Sequence, residues 1–203
     1  MTTEQPGIKK ETLYLYIIIA FLVGFIAGAV FAVYKLSPST KTIQGSAPQQ
    51  AQVSNELGQA ILNLEGEVTR NPDSGEAWTR LGNLYYDTDQ PKKAIGAYSR
   101  ALELIPPDAN VITDLGVMYR RDGQPQKAVE AFIQAGEVNP LHEQSRLNQA
   151  IVFHYDLHDH QKALAVLAEL LTINPSAAAA NGQPITTFVD EINKSLIQTV
   201  PQQ

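Results

Sequence analysis

Apolar positions along this chain of 203 residues follow two different patterns. From Leu13 to Val33 they are continuous, and LYLYIIIAFLVGFIAGAVFAV runs 21 residues without a charge or an amide. At about 1.5 Å rise per residue a helix of that length spans roughly 31 Å, the thickness of a bilayer's hydrocarbon core. Tyr14, Tyr16 and Tyr34 stand near its ends, where amphipathic rings favour the membrane interface. The pattern predicts a transmembrane helix over 13–34 behind a short tail, 1–12. A cleaved signal peptide is the rival reading, through Ala27-Gly28-Ala29, but the apolar run continues past that site to Val33. Residues 35–52 are polar, carry Ser, Pro, Gly and Gln without an apolar period, and read as a flexible linker. From Val53 the pattern turns periodic. Leu57, Ile61, Leu64 and Val68 step by four, three and four, which predicts a helix over 53–72.

Within the apolar run, Ala20, Gly24, Gly28 and Ala32 recur every four residues. Such a stripe lets two helix backbones approach closely, so helix–helix pairing in the membrane is expected there. Lysines flank the run almost evenly, with Lys9 and Lys10 before it and Lys35 and Lys41 after it. A short N-terminal tail ahead of one anchor most often stays cytoplasmic, which favours a body outside the cytoplasm.

The body repeats itself. Trp78, Leu81, Gly82, Tyr85, Ala94, Tyr98, Ala101 and Pro106 are followed 34 residues later by Ile112, Leu115, Gly116, Tyr119, Ala128, Phe132, Ala135 and Pro140. This register resembles the tetratricopeptide repeat, a helical hairpin with the signature W-x2-L-G-x2-Y, A-x3-F and P. The resemblance implies an all-α solenoid: repeats at 75–108, 109–142 and 143–177, a half repeat at 53–72, and a capping helix at 184–199. Glycines 82 and 116 are expected where the helices of a hairpin cross closely. Tyr85, Tyr98, Tyr119 and Phe132 are expected to fill gaps between hairpins, and Pro106 and Pro140 to end second helices. The third copy is one residue longer between Phe153 and Ala163, which places the insertion in a turn, His154–His160. Asp159 reads as the N-cap of the helix that follows. Ile185, Phe188, Val189, Ile192 and Leu196 form the apolar stripe of a helix able to cover the end of the stack.

Composition narrows the chemistry. The formal charge is -6, a poor match for a nucleic-acid backbone. Cysteine is absent, which excludes disulfides, thiolate catalysis and zinc ribbons. No phosphate-binding loop, nucleophile elbow or H-E-x-x-H occurs, so neither an enzyme nor a cofactor is expected. His154, His158 and His160 lie among Asp156 and Asp159, yet the helical spacing is broken there and a metal site is not expected.

The resemblance implies a concave groove lined by the first helices. Its candidate partner-binding residues are Thr79, Asn83, Tyr86, Thr113, Val117, Arg120, Arg121, Asn148, Ile151 and Tyr155. Of the carboxylate-clamp pattern found in chaperone-binding members, only Asn83 is matched. Asp87 and Asp114 beside Arg120 and Arg121 predict a ligand of mixed charge.

An anchor, a linker and repeats together resemble bacterial single-pass tetratricopeptide proteins. The stretch LEGEVTRNPDSGEAWTRLGNLYYDTDQPKKAIGAYSRALEL is similar to the tetratricopeptide subunits of c-type cytochrome biogenesis. That resemblance implies a periplasmic body on the bacterial inner membrane that holds a protein or peptide partner, apocytochrome among them. The alternative is a structural or assembly subunit of a membrane complex.

Overall fold

The computed structural model describes residues 47–198, with side chains over 55–197. The chain divides into two units, Met1–Ala51 and Gln52–Gln203. The expected transmembrane helix over 13–34, its stripe Ala20, Gly24, Gly28 and Ala32, and the linker up to residue 46 lie outside the described residues. Among the described residues no helix is long and apolar enough to cross a membrane.

Among the described residues eight α-helices follow one another: α1 (Ala47–Arg70), α2 (Gly75–Asp87), α3 (Pro91–Leu104), α4 (Ala109–Arg121), α5 (Pro125–Val138), α6 (Glu143–Ile151), α7 (His160–Ile173) and α8 (Ile185–Gln198). A π-helical turn, Val152–Asp156, extends α6. One isolated bridge pairs Ala178 with Pro184, and no strand occurs among the described residues. Helix α1 begins inside the stretch read as linker. Pro48 is tolerated there because the first helical turn leaves its N–H groups unpaired, and the flanking Ala and Gln are good helix formers.

The repeat is built from caps as much as from apolar residues. First helices open on residues spaced by 34: Ser74 Oγ accepts from the N–H of Ala77, Asp108 from those of Asn110 and Val111, and His142 Nδ1 from that of Ser145. Pro91 and Pro125 stand in the first turns of α3 and α5, where a missing N–H costs nothing. Asp159 caps α7 by accepting from the N–H of Lys162, as its sequence position implies. Each hairpin turn has three residues, and the middle one is left-handed: Asp89 at φ 51°, Gly123 at φ 73° and His158 at φ 55°.

Because that turn keeps its length, the extra residue of the third repeat is not in the turn. It lies within the first helix as the π-helical segment. The N–H groups of Gln90 and Gln124 close their turns on Tyr85 and Tyr119, five residues back, whereas that of Asp159 reaches Phe153, six back.

Gly82 and Gly116 do mark close crossings, against the rings of Tyr98 and Phe132. Those two rings fill the crossings inside their own hairpins, and each shares a core cluster with the first helix of the next one, Tyr98 with Leu115 and Met118 and Phe132 with Leu147 and Ala150. Tyr85 does bridge hairpins: its hydroxyl donates to Glu65 of α1 at 2.5 Å. At the far end Ile185 and Ile192 of α8 are buried, with Phe188, Val189 and Leu196 packed around them, as the stripe implied. Burying each such side chain contributes about 1.5–3 kcal/mol.

Candidate functional site

The first helices α2, α4 and α6 stand side by side, and polar links from one to the next fix their spacing. The Arg121 guanidinium donates to Tyr86 O at 3.2 Å and to Asp89 at 3.3 Å, and lies 4.5 Å from the centre of the Tyr86 ring. Arg120 pairs with Asp156 of the π-helical turn at 2.5 Å. His142 lies 3.2 Å from Asn110 Oδ1 through Nε2 and 3.4 Å from the Thr113 hydroxyl through Nδ1. Burial holds the His142 imidazole below its usual pKa, with Arg146 acting in the same direction and Asp108 against it.

These links decide which expected residues face a ligand. Arg120 and Arg121 are already paired within the fold. Thr113 is 3 % exposed and its hydroxyl donates to Ala109 O, so it is a buried tie and not a ligand contact. The Thr79 hydroxyl likewise donates back, to Gly75 O. Asn83 is exposed, and its carbonyl accepts from the Tyr98 hydroxyl at 2.8 Å. Asn148 is half-buried and its carbonyl accepts from Gln144. Tyr86 and Val117 are half-buried on the same helix face.

With both arginines paired, the uncompensated charge on this face is negative. Asp114 of α4 is half-buried, and among the described residues no cation or hydrogen-bond donor pairs with it. Burial first, then the carboxylates of Asp108 and Asp87, push its pKa up to about 6.

Ile151 and Tyr155 meet residues that sequence reasoning did not assign to a site. Together with Leu147 they wall a cavity of about 190 Å³ whose other side is Ala179, Pro184, Ile185 and Phe188. Tyr155 stacks on Phe188, with centroids 5.9 Å apart and an interplanar angle of 11°, and its hydroxyl donates to Glu191 at 3.0 Å. Phe188 and Glu191 come from α8, whose pattern announced a cap; nothing in that pattern showed that the cap would close a cavity.

Behind Tyr155 is a histidine pair. His154 Nδ1 lies 2.8 Å from His160 Nδ1, and the His154 ring meets Phe188 edge-on at 5.5 Å. Burial lowers the His154 pKa, His160 and His158 lower it further, and Glu191 opposes them. A hydrogen bond between two Nδ1 atoms needs one of them unprotonated. Among the described residues no group of three or more His, Asp or Glu is placed to hold a metal ion.

Comparison with known proteins agrees with the hairpin register. Two tetratricopeptide-repeat family models match residues 75–108 and 113–178. A stretch of 56 residues is 39% identical to peroxisome biogenesis protein 5 of Arabidopsis thaliana, covering 28% of this chain and 8% of that protein. Among solved structures, MamA superposes with a TM-score of 0.58 at 20% identity, over 75% of this chain and 91% of that one. The first tetratricopeptide domain of Spaghetti (RPAP3), bound to the HSP90 peptide SRMEEVD, superposes at 0.53 and 16% identity, over 61% of this chain and 93% of that one. YrrB, described as having an unusual peptide-binding site, does so at 0.53 and 19%, over 72% and 75%. At these identities the structural likeness establishes the fold.

Proposed function

We propose that this chain, whose residues 75–108 and 113–178 are tetratricopeptide repeats, is a protein-interaction scaffold that holds an extended segment of a partner on the face of α2, α4 and α6. Tetratricopeptide repeats mediate protein–protein contacts, and two of the solved neighbours are described by the peptides or peptide site they carry. The observation that carries the reading is the unpaired carboxylate of Asp114, half-buried beside Tyr98 on that face, where a cation from a partner would relieve it. The SRMEEVD peptide held by RPAP3 is acidic; the face described here favours the opposite charge.

The rest of the proposal comes from the sequence. The apolar run Leu13–Val33 would tether the repeats to a bacterial inner membrane, with the body on the periplasmic side. Residues 64–104 support a role in c-type cytochrome maturation, with apocytochrome as the segment held.

Photo-crosslinking tests the site. A benzophenone side chain in place of Asn83 or Val117 should trap a partner in native membranes, and one in place of exposed Leu62 should not. Equal trapping at all three positions would remove the face from consideration. Carbonate washing should leave the chain in membranes, and protease added to spheroplasts should digest the repeats. Haem-lyase components in the adduct would support the maturation role; stable adducts with one membrane complex alone would favour an assembly subunit.

A further inference from the structure

We propose that the cavity between α6 and α8 is the anchor subsite of this face, and that it takes one large apolar side chain of an extended partner segment carrying lysine or arginine beside it. The proposal rests on the reading of the first-helix face as a peptide groove. Leu147 and Ile151 stand 34 residues beyond Thr113 and Val117, so the cavity opens at the third-repeat end of the same row of helices.

Its size argues for a side chain. Sites for whole small molecules run to roughly 300–1,000 Å³. A volume of about 190 Å³ suits one leucine or phenylalanine. Its walls are aliphatic and aromatic: Leu147, Ile151, Pro184, Ile185 and Phe188. Removing an apolar side chain from water supplies the drive, and a few deeply seated anchors carry most of the energy of such contacts.

Its rim sets the charge. Glu191 is exposed at the mouth, accepts from the Tyr155 hydroxyl and, among the described residues, forms no ion pair. Arg120, the nearest cation on α4, is bound to Asp156. On the neighbouring helix Asp114 is unpaired as well. A basic residue next to the anchor meets Glu191. A second one meets Asp114 on α4, whose axis lies about 8–10 Å from that of α6 by ordinary helix packing, within reach of an extended segment.

The test uses the full-length chain with methyl labels on its Ile and Leu residues. The probes are the capped peptide Ser-Lys-Ser-Ser-Phe-Lys-Ser, its Phe-to-Ser form and its Lys-to-Glu form. The parent peptide should shift the methyl signals of Leu147, Ile151 and Ile185. Each altered peptide should bind at least about fivefold more weakly. Ala179→Phe, which fills the cavity from the loop side, should weaken the parent peptide about tenfold at an unchanged melting temperature. If that change lowers the melting temperature, Ile151→Trp closes the cavity instead. Glu191→Lys should abolish the preference for lysine over glutamate in the peptide. With Val methyls labelled as well, a signal that moves at Val117 but not at the cavity methyls would overturn the subsite and leave the groove. Signals at the cavity alone would leave the subsite and remove the groove. No shift at millimolar peptide, or equal binding of all three peptides, would overturn both.

Discussion

A Cβ added to Gly116 would stand 2.5 Å from Cε1 of Phe132, well inside the van der Waals surface of a ring that is itself 1 % exposed. Gly82 and Tyr98 repeat the arrangement one hairpin earlier, at 2.6 Å from Cδ1. In the third hairpin the glycine is replaced by Ala150 and the ring by Leu167, and both are fully buried. The close approach of the two helices is thus set jointly by the two residues. A larger residue on one side is matched by a smaller one on the other.

Gly116→Ala should therefore destabilise the repeats by about 1–3 kcal/mol, the usual penalty for overpacking. Phe132→Leu alone should also destabilise, by leaving a cavity. Combined, the two should cost less than their sum by about 0.5–3 kcal/mol, since they recreate the pair that the third hairpin already uses. Urea denaturation of the four proteins checks this. Strict additivity would show that residues 116 and 132 do not set the approach.

Much of the fold was legible because this register depends on small residues and breakers at fixed spacing. Gly82, Gly116, Pro106 and Pro140 sit where steric rules allow little else. The third repeat was harder. A π-helical segment has no pattern signature, because it changes which carbonyl Asp159 reaches without changing which residue types are apolar. The site was less legible still. Arg120, Arg121 and Thr113 have the chemistry of ligand contacts, and only coordinates show that each is occupied by Asp156, Asp89 or Ala109.

The turn residues make a second prediction. His158 holds φ 55° where the preceding hairpin has Gly123 at φ 73°. A side chain in that region costs roughly 1–2 kcal/mol, partly offset in glycine by its freer unfolded chain. His158→Gly should stabilise by about 0.5–1 kcal/mol, and Gly123→Ala should destabilise by a similar amount. Asp89→Gly should change less, because a short polar side chain tolerates that conformation. Thermal melts of the three variants give the order.

The histidine pair makes the stability depend on pH. Burial holds His154 and His142 below their usual value of 6.5, so the unfolded chain takes up protons that the folded chain resists. Their contribution is complete above about pH 6.5 and is lost as pH falls toward the folded values. His160→Gln keeps a hydrogen-bonding partner for His154 but cannot titrate. The melting temperature of this variant should fall less than that of the wild type between about pH 6.5 and 5. Parallel curves would place the acid sensitivity elsewhere.

Asp114 contributes with the opposite sign, and this separates a binding role from a structural one. Its pKa is pushed up to about 6, so the folded state disfavours its charge. The stability linked to its proton is present below the unfolded value of about 3.9 and lost as pH rises through the folded one. Asp114→Asn should therefore melt higher than the wild type at pH 7, and the two should converge toward about pH 4. A carboxylate retained at a cost in stability is expected to act on something outside the fold. The same Asp114→Asn protein should bind a lysine-bearing peptide more weakly at pH 7, by about tenfold, or 1.4 kcal/mol. Binding by the wild type should weaken only moderately with added salt, because a half-buried contact pair is screened less than exposed charges set about 10 Å or more apart at 0.1 M. Calorimetry at two salt concentrations, with melting curves of the same samples, reads both effects. Tighter folding with weaker binding supports a contact to the ligand cation. Tighter folding with unchanged binding would make Asp114 an unrelieved strain of the repeat packing and move the charge preference to another residue.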